Sequence, residues 1–183
     1  MAGDQLEEAL RLVEITSRKS ELVEFEYCVS GGEAVNYVGS SLNPLCVTQV
    51  IPLKLIISTT QVRVPALLTT EAFAKKENIS SKPEIEYLLY LAGSRQIKQT
   101  LEKIRRYGGE PYLVIRFCEK TAEEKLKRLP EEISCITKDL ENSLKPDIES
   151  IKEFYGLTKT SRDELIKDIL TLINNLRLQT KRE

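Results

Sequence analysis

The chain contains no histidine. That gap excludes Ser–His–Asp and Cys–His nucleophile activation, and with them the common histidine zinc sites. Carboxylate or lysine catalysis is not excluded on that ground. The sequence also lacks a G-x-x-x-x-G-K phosphate loop and a G-x-G-x-x-G fingerprint. Gly31-Gly32 and Gly108-Gly109 fall between periodic segments and read as turns. Asp and Glu are plentiful but scatter along expected helix faces without converging. No catalytic residue, cofactor, metal or small-molecule substrate is expected.

Charge of one sign is missing too. Lys and Arg number 27 against 28 Asp and Glu, a net charge of −1, so any nucleic-acid site must be a local patch. Long apolar runs are absent. The most apolar region, residues 45–57, is interrupted by Gln49, Pro52 and Lys54 and is too short to span a bilayer. The opening Met-Ala-Gly-Asp-Gln has no basic segment followed by an apolar stretch, so no signal peptide is expected. These features predict a soluble, cytoplasmic chain with no membrane partner. Cys28, Cys46, Cys118 and Cys135 form no C-x-x-C pair, and without secretion they are expected to be free, buried thiols.

What is present suits a globular fold. Apolar residues make up 41% of 183 residues and charged ones 30%, enough for one domain with a sizeable core. Asp4 and Glu7 form a capping box ahead of Leu6, Ala9, Leu10 and Val13 at helical spacing. Val23, Phe25, Tyr27 and Val29 alternate as a strand, and a second strand is expected through residues 35–38. Residues 45–57 read as extended chain broken by Pro52. A helix is expected around Pro65, with proline in its first turn and Lys75-Lys76 at its end. Ser81 and Pro83 start the next, with Ile85, Leu88, Leu89 and Ala92 on one face before Gly93. Ile97, Leu101 and Ile104 mark a further helix. Residues 111–118, PYLVIRFC, form a strand apolar enough to be buried on both faces. A charged helix over 121–129, an ambiguous stretch at 133–137, a looser segment at 141–147 and a short helix at 147–155 follow. Ser161 and Glu164 then open a final helix to about Leu178. With no internal repeat or linker, the pattern predicts one compact α+β domain, with a small antiparallel or mixed sheet packed against several helices.

The segment IEYLLYLAGSRQIKQTLEKI, residues 85–104, says more than its periodicity does. An apolar helix meets Gly93, which has no Cβ and allows a bend or a close backbone approach. Ser94-Arg95-Gln96-Ile97 then opens a second helix, where a guanidinium and an amide can bond backbone carbonyls or an external phosphate. On spacing alone, the alternative that both side chains merely staple the joint is the readier one.

With Gly93-Ser94-Arg95-Gln96-Ile97 standing as G-x-R-Q-I, this segment resembles the KEOPS-subunit family that includes TPRKB, especially its archaeal members. The order of elements over residues 45–178 is also similar, and residues 1–44 stand as an N-terminal extension or variable part. Ala92 stands where many relatives have serine, and Tyr90 where some have a basic residue. The resemblance implies a non-catalytic accessory subunit of the complex that makes threonylcarbamoyl-adenosine in tRNA. It implies binding and stimulation of the small atypical kinase/ATPase subunit, and help in holding the tRNA 3′ CCA end.

Two surfaces are then expected. Nucleic acid would use Arg95 and Gln96 at the joint, with Lys75, Lys76, Lys98 and Arg105 as phosphate contacts. The kinase partner would need an apolar patch with a polar rim, offered by Ile97, Leu101 and Ile104, or by Leu165, Ile169, Leu172 and Leu176 of the final helix; the alternative for each is that it packs inward. The alternatives are a protein-interaction module that regulates a kinase without RNA contact, and a carboxylate-based enzyme with a deep pocket of converging Asp and Glu.

Overall fold

The computed structural model describes residues 20–120, 133, 135–137 and 139–180. Five antiparallel strands form one sheet: β1 (Val23–Ser30), β2 (Gly39–Leu42), β3 (Leu45–Pro52), β4 (Tyr112–Glu119) and β5 (Cys135–Thr137), in the order β2-β3-β4-β1-β5. The most apolar strand of the sequence, β4, is central, paired with β1 from Val23↔Glu119 to Ser30↔Tyr112 and with β3 from Cys46↔Cys118 to Pro52↔Tyr112. Its alternate side chains serve opposite faces. Leu113, Ile115 and Phe117 face a large core cluster with the helices, whereas Val114 packs with Cys28, Ala34, Val50 and Ile133. Burial on both faces accounts for the apolar run, which is interrupted by the half-buried Arg116.

Six helices are described: α1 (Thr59–Lys75), α2 (Pro83–Ala92), α3 (Ile97–Arg106), α4 (Leu140–Ser143), α5 (Ile148–Tyr155) and α6 (Arg162–Thr180). The Ser58 side chain caps α1 by accepting from the Gln61 N–H at 3.1 Å. Asp147 caps α5 through the Ser150 N–H at 3.3 Å. Pro83 occupies the first turn of α2, where its missing N–H costs no helical bond.

The helices form two layers on one face of the sheet. From α1 and α2, Val62, Ala66, Leu67, Tyr87, Leu88 and Leu91 pack toward the strands. Val64, Leu68, Ala72, Leu89 and Tyr90 pack instead with Ile151, Phe154, Leu165, Ile169 and Ile173 of α5 and α6. The inner pair is thus apolar on two sides, and α6 covers the outer of them.

Several expectations are corrected. Residues 35–38 are not a strand, because Gly32–Tyr37 wind into a 3-10 turn that buries Ala34 and leaves Val35 and Val38 exposed. Pro65 is not in the first turn but inside α1, since the Ser58 cap starts the helix earlier. The expected free thiols are paired. Cys46 and Cys118 face each other across β3 and β4, and Cys28 bonds Cys135 between β1 and β5 with Cα atoms 5.4 Å apart. Strand pairing joins cysteines 72 and 107 residues apart in sequence, a proximity that spacing along the chain does not reveal. Within residues 1–44, β1 is an interior strand of the sheet and β2 one of its edges. Residues 133–137 contain β5, and 141–147 overlap the end of α4. The helices expected from Asp4 and over 121–129 lie outside the described residues. Among the described residues, no helix is long and apolar enough to cross a membrane.

Candidate nucleic-acid and partner interface

The joint between α2 and α3 is built from its backbone outward. Gly93 follows the last residue of α2 with φ +61°, its N–H donating to the Tyr90 carbonyl, while the Ser94 N–H reaches the Leu89 carbonyl, each at 3.0 Å. This is the pair of hydrogen bonds of a glycine-closed helix end. A Cβ at Gly93 would lie 3.0 Å from the Leu172 Cβ and 3.2 Å from the Leu172 carbonyl carbon, so glycine here permits both the turn and the close approach of α6. The Gln96 N–H donates to Ser94 Oγ at 3.2 Å, and the Gln96 carbonyl receives the Thr100 N–H at 2.9 Å to open α3.

A buried polar relay backs this joint. The Tyr155 hydroxyl donates to the Leu91 carbonyl at 2.8 Å and accepts from Gln61 Nε2 at 2.9 Å. Gln61 also donates to the Leu55 carbonyl at 3.0 Å and accepts from the Ile57 N–H at 2.8 Å. Every hydrogen-bonding group of these two buried side chains has work, the condition under which buried polar groups specify one arrangement. Burial pushes the Tyr155 hydroxyl far above its usual pKa, so it stays a donor. Sequence reading missed both residues. The available signal was a glutamine three residues past a serine cap, followed by apolar positions.

From the joint, α3 runs along the rim of the fold. Only Thr100 is fully buried, with Leu101 and Ile104 packed half-buried against the core. Lys98, Glu102 and Arg105 recur on one face at helical spacing, and the Lys98 side chain is 90% exposed. Residues 93–109 carry Arg95, Lys98, Lys103, Arg105 and Arg106 against Glu102 alone. Lys103 Nζ lies 5.1 Å from the Phe154 ring centre, and desolvation, then Arg106, lowers its pKa.

Arg95, Gln96, Lys98 and Arg105 therefore share one continuous unit. Lys75 and Lys76 stand apart, at the C-terminal end of α1, where Lys76 adopts φ +58°. Lys75 pairs with Glu71 at 2.5 Å, and Glu71 also receives Arg177 of α6 at 3.2 Å. The joint meets α6 at Leu172, roughly 7 Å of helical rise before Arg177.

The expected apolar stripe of α6 is a further correction. Leu165, Ile169 and Leu176 are 0%, 0% and 2% exposed, because they cover the outer side of α1 and α2. Leu172 is half-buried against Gly93. Of the expected partner residues, Ile97 alone is exposed, with Leu101 and Ile104 half-buried beside it. Val35, Val38 and Leu42, near the β2 edge, are also exposed and were not expected as a surface.

Among the described residues, no group of three or more His, Cys, Asp or Glu could hold a metal ion. No curated protein matches the chain. A protein-family model does match, over residues 32–177, and it is described as kinase binding protein CGI-121. That span includes the joint, the basic helix, the central strand and nearly all of α6; the chain belongs to the CGI-121 family of kinase binding proteins.

Proposed function

We propose that this protein is a non-catalytic accessory subunit of the KEOPS complex, which makes threonylcarbamoyl-adenosine in tRNA. In the cytoplasm it binds and stimulates the small atypical kinase/ATPase subunit, and it helps to hold the tRNA 3′ CCA end. The observation that carries the RNA half is the α2–α3 joint, where a glycine-closed turn with a fully bonded backing opens into an exposed helix bearing Lys98 and Arg105 on one face. Single-stranded RNA is held by positive charge placed on rigid supports. Arg95 and Gln96 flank the turn, with Lys98 and Arg105 as phosphate contacts, and Lys75 and Lys76 extend the charge at the far end of α1.

The family's description as kinase binding proteins supports the kinase half, with the exposed Ile97 and the adjoining Leu101 and Ile104 as its apolar anchor. A kinase-regulating module without RNA contact is the second reading, favoured by the net charge of −1. The double variant Lys98→Glu/Arg105→Glu separates them. Its tRNA affinity falls, and the slope of log K against log salt drops by about 1 for each phosphate no longer neutralised. Capture of the purified kinase subunit stays unchanged. Equal affinity and slope in variant and wild type would leave the kinase-only module.

A further inference from the structure

A second basic face runs along α3. Lys103 and Arg106, three residues apart, turn away from Lys98 and Arg105 and toward α5. Lys103 Nζ lies 5.1 Å from the Phe154 ring centre. Lys54 Nζ, from the 3-10 turn Leu53–Leu55, lies 5.9 Å from the Tyr107 ring centre. The two rings meet edge to face with centres 5.9 Å apart, so both ammonium groups stand over one aromatic pair where α3, α5 and that turn join.

A ring's negative face orients an ammonium but leaves its full charge in place; a carboxylate would neutralise it. Among the described residues, Lys54, Lys103 and Arg106 form no ion pair. The carboxylates nearby are engaged elsewhere. Asp147 accepts from the Ser150 N–H at 3.3 Å and its hydroxyl at 2.8 Å, Glu149 pairs with Lys152 at 3.1 Å, and Glu153 faces the Tyr107 hydroxyl. Three cations are thus brought together without a counter-charge, an arrangement that an anion relieves.

The kind of anion follows from what the rings do not offer. Tyr107 and Phe154 are 7% and 2% exposed, so neither presents an open face on which a base could stack. Such a cluster touches phosphates and does not read bases. Its place along α3 fits that role. From Lys98 to Arg106 the helix rises about 12 Å, and three stacked nucleotides advance roughly 10 Å. An unpaired trinucleotide lying from the joint along α3 therefore brings the next, base-paired phosphates to Lys54, Lys103 and Arg106.

We infer that Lys54, Lys103 and Arg106 form a phosphate site for the base-paired RNA segment that adjoins the single-stranded end held at the α2–α3 joint. This rests on the RNA half of the proposed function and adds to it a second contact that recognises backbone alone.

Two RNA probes test it with the full-length protein: a hairpin whose stem carries an unpaired CCA tail, and a single-stranded oligonucleotide ending in CCA. Wild type should bind the hairpin more tightly. Lys54→Gln/Lys103→Gln removes both charges while keeping apolar cover over the rings. It should lose several-fold in hairpin affinity, with the slope of log K against log salt falling by about 2, one for each phosphate no longer neutralised. Its affinity for the oligonucleotide should not change, which also reports that the variant is folded. Lys103→Arg should keep the hairpin affinity. Unchanged hairpin binding in the double variant, or equal loss for both probes, would overturn the inference and leave the proposed function standing. Loss of kinase-subunit capture with hairpin binding intact would overturn it too, making the cluster a protein contact. Wild type that binds neither RNA would overturn the RNA half of the proposed function, and this site with it.

Discussion

At the scale of single residues, two positions carry consequences that composition does not show. Gly93 combines a positive φ with a backbone neighbour where its Cβ would be. Gly93→Ala should cost at least about 1–2 kcal/mol for the left-handed backbone alone, with a further loss as Leu172 is displaced, read as a lower urea midpoint. Glu86 is fully buried. Its Oε2 accepts the Ile79 N–H at 2.9 Å and the Ser80 N–H at 2.7 Å, holding the loop between α1 and α2, while Oε1 has no hydrogen-bond partner among the described residues. Burial raises its pKa, the two backbone bonds only partly opposing that. The folded state thus holds this proton at pH values where the unfolded chain has released it. Stability from this group falls as pH rises from the ordinary glutamate range through the raised value. Glu86→Gln should flatten that part of the curve of melting temperature against pH. An unchanged slope would show that Glu86 is not its source.

At the scale of elements, the sequence read well where one physical cause dominated. β4 was legible because an apolar run between turns has few alternatives, and α2 because Pro83 and Gly93 bracket it. The joint was legible as a motif, and its Ser94, Arg95 and Gln96 do open α3. The seat of α6 was not. A stripe of Leu165, Ile169 and Leu176 has the same spacing whether it meets a partner or the outer side of α1 and α2, and only the layering of the helices decides it. The two disulfides were illegible for a related reason, since strand register sets which cysteines meet. They make a prediction at this scale. Native protein should take up no thiol reagent, and all four cysteines should react after reduction and unfolding. Closing loops of this length stabilises by a few kcal/mol each, so reduction should lower the melting temperature by several degrees. Ready alkylation of the native protein would contradict the pairing.

At the scale of the whole molecule, a nearly neutral chain concentrates cations along one rim. Arg95, Lys98, Lys103, Arg105 and Arg106 follow Gly93 within a short stretch that holds one carboxylate. A molecule so arranged should bind a polyanion locally, with little non-specific attraction over the rest of its surface. The most direct test is tRNA binding by the purified protein, comparing intact tRNA with tRNA lacking its CCA end at two salt concentrations. The account predicts tighter binding to the intact tRNA, weakened at the higher salt. Equal binding to both tRNAs, or none to either, would contradict it.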